Sequence, residues 1–365
     1  MNRKRINLYN VLLLSLLSMT WATAKDPEVL AERRKSVVKV YDVNARNELH
    51  IENQFGHVKV NLWDRNEIRV DISILANATS DDRAQQYLDG VEIIERRQGD
   101  QIFLRTSIDK TNFNGNSWST NVWRKDGKKE ENKNGIQIDY TISMPKNNAL
   151  SVKNQFGNTS IPSFHAPLTV VNKFGNFYAT DLKGDKVDID VQFGAGEIRE
   201  MDNGKLDFQY SKLVLDKANV IILNNKFGKM QIGEVNKIDA NIGYSGARIG
   251  TLRETCKVKL EFSGGFRIEQ LPRSAEMVDI LANYSSVVLP VAENVNSNFD
   301  VTVQYGNFRY PSDNSRIILK TQPNTDESGQ RHYHYRTTKQ YTGQIGKGAG
   351  PKVRIVSKFG DVKFQ

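Results

Sequence analysis

Asp190 and Asp207 have the clearest claim to chemistry in this sequence. Each stands three residues before an aromatic that is followed by a small residue, Phe193-Gly194 and Tyr210-Ser211. If segments of that length stack as strands, the two carboxylates become neighbours roughly 5 Å apart on one face. Such a pair suits a retaining glycoside hydrolase or part of a Ca²⁺ site. The simpler reading is a solvated strand face, because 42 acidic residues make chance pairs common. His332 and His334 share one side of any strand they form, as two metal ligands would. They lack a third ligand at a useful spacing, and Arg331 and Arg336 flank them unfavourably for a cation, so an exposed polar segment is expected. Trp118, Trp123 and Phe113 lie in a stretch rich in Asn, Gly and charge, beside Arg124, Lys125, Lys128 and Lys129. Exposed aromatics among bases can bind sugars or surfaces, and they can equally fold back over a neighbouring core. No Gly-rich run precedes a helix, so no phosphate-cradling loop is expected. Neither a cofactor nor a bound metal is called for, and no residue is assigned a catalytic role.

A repeat must position these residues. The phrase Asn53-Gln54-Phe55-Gly56 returns as Asn154-Gln155-Phe156-Gly157 and Asn172-Lys173-Phe174-Gly175. It continues at Phe193, Tyr210, Phe227, Tyr244, Phe262, Tyr284 and Tyr305, each followed by Gly or Ser, with a last copy at Phe359-Gly360. From Phe156 to Tyr305 the steps are 18, 19, 17, 17, 17, 18, 22 and 21 residues. A period of this size marks stacked supersecondary units. Four positions before each aromatic the residue is always apolar, from Val152 and Val170 to Ile280 and Val301. One position before it the residue is polar in every case but Gly243. This is strand periodicity, with the small residue permitting a sharp corner. Every unit has the same order of features, which a parallel coil places like upon like and a hairpin meander does not. The expected fold is all-β: a parallel β-solenoid of about 9–11 short coils, with the aromatics stacked as an interior ladder. Cys256, the only cysteine, shares the inward parity of Val258 and is expected to be an inert core residue, which also excludes a disulfide framework.

The segment 25–145 reads differently. Strands are expected at 37–41, 49–51, 58–62, 68–74 and 102–106, with one short helix over 80–88 and Thr79 and Asp82 as its capping box. Segment 109–134 is expected as a long exposed loop. This β-rich region would cap the solenoid, whose repeats occupy 146–310. Segment 311–365 would supply a closing strand and a final coil at Val353, Ile355 and Phe359.

The first residues bear on the compartment. Arg3, Lys4 and Arg5 precede an apolar run over 11–19, and Ala22-Thr23-Ala24 offers a cleavage site. This is a secretory signal pattern over 1–24, and the run is too short to span a bilayer. Removing those three cations takes the formal charge from +9 to +6. A moderate, scattered excess could favour anionic glycans or lipid headgroups, and it is not a nucleic-acid signature.

Several of these features together resemble a known group. They are the signal pattern, the Tyr140-x-Ile142-x-Met144-Pro145 stretch, the repeated Phe-Gly coils and the ending Tyr341-x-Gly343-x-Ile345-Gly346 before Val353-x-Ile355-x-Ser357-x-Phe359-Gly360. The chain resembles the putative-adhesin families of domains of unknown function, and is similar to the head-domain family of putative autotransporter adhesins. The resemblance implies a right-handed β-solenoid in the periplasm or at the cell surface, and supplies no site motif. The expected function is a non-enzymatic, exported cell-envelope binding or scaffold protein, its partner an envelope protein or a glycan. The alternatives are a carbohydrate-active β-helix enzyme at Asp190 and Asp207, or a glycan-binding module using Trp118, Trp123 and Phe113.

Overall fold

The computed structural model describes residues 30–109, 111, 135–291, 296–311, 316–321 and 337–365. The signal segment, the loop aromatics Phe113, Trp118 and Trp123, and the pair His332 and His334 lie outside the described residues.

The chain begins with β1 (Ala31–Asp42), β2 (Glu48–Gln54), β3 (Val58–Trp63) and β4 (Glu67–Ala78). Helix α1 (Asp81–Asp89), β5 (Val91–Gln98), β6 (Gln101–Ile108) and β7 (Gly135–Pro145) follow. Next come β8 (Ala149–Gln155), β9 (Thr159–Ile161), β10 (Leu168–Lys173), β11 (Phe177–Leu182) and β12 (Val187–Gln192). Long strands β13 (Ala195–Gln209), β14 (Lys212–Lys226), β15 (Lys229–Gly243) and β16 (Gly246–Glu261) continue the run, then β17 (Gly265–Gln270), β18 (Met277–Asn283) and β19 (Val287–Leu289). The last elements are β20 (Ser297–Gln304), β21 (Phe308–Arg309), β22 (Ile317–Thr321), β23 (Thr338–Ile345), β24 (Lys352–Lys358) and β25 (Val362–Phe364).

These strands form one open, all-β sheet system whose repeating pairs are parallel and in register. Val170 of β10 pairs with Val152 of β8 and with Ile189 of β12, and the same column runs on through Leu206, Leu223, Ala240, Val258 and Ile280. All of these side chains are buried, and Cys256 is buried one alternation earlier. Alternation along each strand therefore sorts apolar residues inward and polar residues outward, as the sequence pattern requires.

Two features of the stack depart from chain order. At the start, β2 lies between β6 and β8, and β3 between β7 and β9, so the first Phe-Gly copy is an internal coil. At the end, β24 lies between β18 and β20, and β25 between β19 and β21. The segment expected as the final coil is thus inserted one coil from the end. Antiparallel strands close both ends: β5 on β6, β4 on β7 and β1 on β4 at one, β23 on β20 and β22 on β23 at the other. They occupy backbone groups that an open parallel stack would leave unpaired.

All five strands expected in the first region form, and β5 is an addition. Its residues Glu92, Glu95, Arg96 and Arg97 give little apolar alternation, so its pairing with β6 was not visible in its own sequence. Helix α1 is capped by Ser80 and not by Thr79: Arg83 N–H donates to Ser80 Oγ at 3.3 Å. Ala84, Tyr87 and Leu88 are its buried face.

Candidate functional site

The aromatic of each repeat sits at the corner between the two strands of a coil, and its geometry corrects the interior ladder. The alternation that buries Val170 and Asn172 would turn Phe174 inward if the strand simply continued. It does not continue. All eleven ladder aromatics adopt a left-handed backbone, with φ between 46° and 62°. This conformation costs an L-residue roughly 1–2 kcal/mol, and it reverses the direction of the side chain. The small residue that follows turns inward instead. A Cβ at Gly175 would lie 2.0 Å from the Gly157 carbonyl oxygen. Where serine stands, its hydroxyl is engaged: Ser211 Oγ donates to the Gln209 carbonyl (2.7 Å) and accepts from Gly194 N–H (3.2 Å).

The rings therefore form an external ladder. Phe55, Phe156, Phe174, Phe193, Tyr210, Phe227, Tyr244, Phe262, Tyr284, Phe359 and Tyr305 stack in that order, with centroids 4.6–5.2 Å apart and planes within 11° of parallel. Phe359 enters between Tyr284 and Tyr305 because the last coil is inserted there. Ten of the rings are 38–55% exposed. Backbone bonds fix each rung to the next coil: Phe156 N–H donates to Lys173 O at 2.9 Å, and Phe193 N–H to Gln209 O at 3.1 Å. Stacked rings contribute about 0.5–1.5 kcal/mol per pair beyond burial, comparable with the backbone cost at each corner. The array is a rigid apolar comb of ring edges, with the ring faces covered by their neighbours.

Asp190 and Asp207 pair in register on the face preceding the ladder, as the spacing implied. Gln192 Nε2 donates to both Asp190 carboxylate oxygens at 3.1 Å. Gln209 Nε2 (3.1 Å) and Asn224 Nδ2 (3.0 Å) donate to Asp207. Burial raises the Asp190 pKa, the Gln192 bond partly opposes this, and the Asp207 charge raises it further. The site is a hydrogen-bonded acid and amide column. Among the described residues no group of three His, Cys, Asp or Glu side chains could hold a metal ion.

A hollow of about 780 Å³ lies on the strand face beyond the corner. Lys59, Ser160, Tyr178 and Glu197 form an outward column across it, with Arg199 and Asp216 beside them. Arg199 is ion-paired with Asp181, which also accepts from Ser163 Oγ at 2.8 Å. This hollow was not singled out from the sequence. The outward positions Lys59, Ser160, Tyr178 and Glu197 in successive coils were the available signal.

Lysines line the ladder itself. Lys173, Lys226 and Lys358 immediately precede rungs, while Lys212 and Lys229 follow them by two positions. Lys212 and Lys229 face each other in register on adjacent coils. The two acids in these columns are already paired, Glu261 with Lys259 (2.9 Å) and Asp361 with Arg309 (3.0 Å).

No family model matches the chain, and no curated protein matches it. Among solved structures, it is similar to a putative cell adhesion protein from Clostridium sporogenes at 12% identity, covering 91% of this chain and 99% of that one with a TM-score of 0.19. It is also similar to a putative adhesin from Bacteroides fragilis at 12% identity, covering 91% and 97% with a TM-score of 0.32. A putative adhesin from Parabacteroides distasonis, at 11% identity, is covered to 97% by 91% of this chain with a TM-score of 0.29. These are proteins of the kind the sequence resembles.

Proposed function

We propose that this chain is an exported, non-enzymatic binding or scaffold protein of a cell envelope, adhesin-like in role and built as a right-handed β-solenoid. The observation that carries the reading is the ladder, a continuous apolar row held in solvent by a strained corner at every coil. A row that served only the fold would be expected to turn inward, where burial stabilises most. The β-rich segment 25–145 then supplies a cap together with the coil that carries Phe55, 146–310 most of the coil array, and 311–365 its closure together with the inserted coil that carries Phe359. No helix of the described residues is long and apolar enough to cross a membrane. The signal pattern over 1–24 supports residence in the periplasm or at the cell surface. The test is twofold. Purified protein should bind isolated envelopes, and protease added to intact cells should divide surface from periplasmic residence. Failure to bind any envelope fraction refutes the reading.

A carbohydrate-active role is the second reading, favoured by the in-register Asp190 and Asp207 pair with its raised Asp190 pKa. Cleavage of acidic or neutral polysaccharides that is abolished by Asp190→Asn with Asp207→Asn would establish it. A glycan-binding role for Trp118, Trp123 and Phe113 rests on their sequence context alone. Deleting residues 113–133 and testing glycan retention decides it.

A further inference from the structure

The geometry points to the aromatic ladder and its flanking lysines as a docking surface for an anionic phospholipid bilayer. The inference deepens the binding reading by naming the surface and its partner.

The area is sufficient. Ten rings, each roughly half exposed, present on the order of 1,000 Å² along a line of about 43 Å, nine strand spacings long. A soluble monomer rarely exposes an apolar patch beyond a few hundred Å². Roughly 800 Å² per partner supports a stable interface.

The shape selects the partner. The rings stand on a corner and are largely exposed, so the row forms a convex edge. A convex edge fits a flat, deformable surface better than it fits a groove or a discrete ligand. Glycan recognition by aromatics uses ring faces, and here each internal ring is covered on both sides by a neighbour within 5.2 Å. What remains is ring edges, which can enter the boundary between headgroups and acyl chains. Tyr210, Tyr244, Tyr284 and Tyr305 add amphipathic rings of the type that accumulates at this boundary.

Charge selects the lipid class. Exposed Lys212, Lys226 and Lys229 surround the central rungs Tyr210 and Phe227; none makes a salt bridge among the described residues, and only Lys226 has an acid nearby, its charge acting on Glu261, which is itself paired with Lys259. Lys212 opposite Lys229 is a like-charge pair, which is unfavourable across strands. An anionic surface relieves that repulsion. A second copy of the chain does not, because a two-fold, antiparallel pairing of the ladders centred on Phe227 sets Lys226 against Lys226 and Lys229 against Lys229. Lysines have long apolar stems, so their ammonium groups reach headgroups while the rings sit deeper.

Vesicle sedimentation tests the assignment, using the exported protein beginning at Lys25 so that the apolar run over 11–19 is not present. Phosphatidylcholine vesicles are compared with vesicles that also carry phosphatidylglycerol. Binding to the anionic vesicles is expected, weakening as salt rises. The triple variant Lys212→Gln, Lys226→Gln, Lys229→Gln should lose about 100-fold in partitioning, at about five-fold per lysine. These side chains are exposed, so unfolding curves should match the parent. A ladder variant such as Phe193→Ser with Phe227→Ser should also lose binding, and could lose stability. Phe193→Trp therefore provides a second measurement: its emission should be quenched by brominated acyl chains only in anionic vesicles. Folded protein that ignores anionic vesicles overturns the assignment. So does vesicle binding without Trp quenching and without dependence on the three lysines. Retention on polysaccharide alone, or self-association lost in the ladder variant, overturns it in favour of a glycan or a second copy. Binding to whole envelopes without binding to vesicles sinks this partner and leaves the envelope-binding reading standing, whereas failure with both sinks the two together.

Discussion

Phe193 separates an external from an internal ladder by a comparison of two substitutions. Removing a fully buried phenylalanine to alanine costs about 3–5 kcal/mol. Phe193 is 48% exposed, so the burial component falls to about half of that. It also stacks on Phe174 at 4.9 Å and Tyr210 at 5.0 Å, and alanine loses both contacts. Phe193→Ala should therefore cost about 2.5–5.5 kcal/mol, half of the burial figure plus two stacking contacts of about 0.5–1.5 kcal/mol each. Phe193→Gly loses the same ring but relieves the left-handed backbone at φ 56°. That relief is about 1–2 kcal/mol, partly offset by about 0.5–1 kcal/mol of extra chain entropy in the unfolded state. Glycine should thus be more stable than alanine by about 0.5–1 kcal/mol, the reverse of their usual order in strands. Urea unfolding followed by circular dichroism measures both, with buried Phe208→Ala as the internal reference at about 3–5 kcal/mol. Glycine falling below alanine at this position would refute the account of the corner, whatever the size of the alanine loss.

Asn225 is fully buried, and neither side-chain amide atom has a partner among the described residues. Its column neighbours are Phe208 and Ile242, so Asn225→Leu should raise stability by about 1–3 kcal/mol in the same assay, and a loss would show that the amide is satisfied. The raised pKa of Asp190 means that the folded state holds its proton more tightly than the unfolded state. Stability from this group is therefore present at low pH and lost as pH rises through the folded pKa, so Asp190→Asn should stabilise at neutral pH and converge with the parent in acid. Equal offsets at both pH extremes would show that desolvation of the carboxylate is not the cause. Truncation before Lys352 removes β24 and β25 from between their neighbours. Limited proteolysis should then cut within 297–304 and 338–345 while 48–108 and 135–289 stay protected, and a peptide spanning 352–365 should restore protection; an unchanged pattern would refute the inserted coil.

The parallel stack was legible because each coil carries its own copy of the pattern. Val152, Val170 and Ile189 announce a buried column, and Asp190 and Asp207 fall in register because each stands three positions before its corner, whatever the coil length. The direction of the aromatics was not legible from alternation, because one left-handed residue reverses the side that parity assigns. The cue was the residue after it. A position that accepts only Gly or Ser in every copy is a position too crowded for a side chain, and the crowded side of a corner is the inside. The smallness of Gly157 and Gly175 thus told which residue faces inward, while the aromatic beside it drew the eye.

Coil order is a different problem, because identical repeats stack in any order and the ladder itself does not discriminate. Exposed charges in the flanking columns do. Asp279 and Asp300 would face each other if β18 met β20 directly. Insertion of β24 places Arg354 between them, with its Nη1 3.0 Å from Asp279. The other end repeats the arrangement with signs reversed. Arg105 of β6 and Lys153 of β8 would be adjacent without β2, and Glu52 lies between them at 3.7 Å and 3.0 Å. Each exposed pair stabilises by no more than about 1 kcal/mol. The difference from the alternative order is larger, because like charges directly opposite are unfavourable. Both insertions therefore select one order of coils by penalising the sequential order as well as by rewarding the observed one.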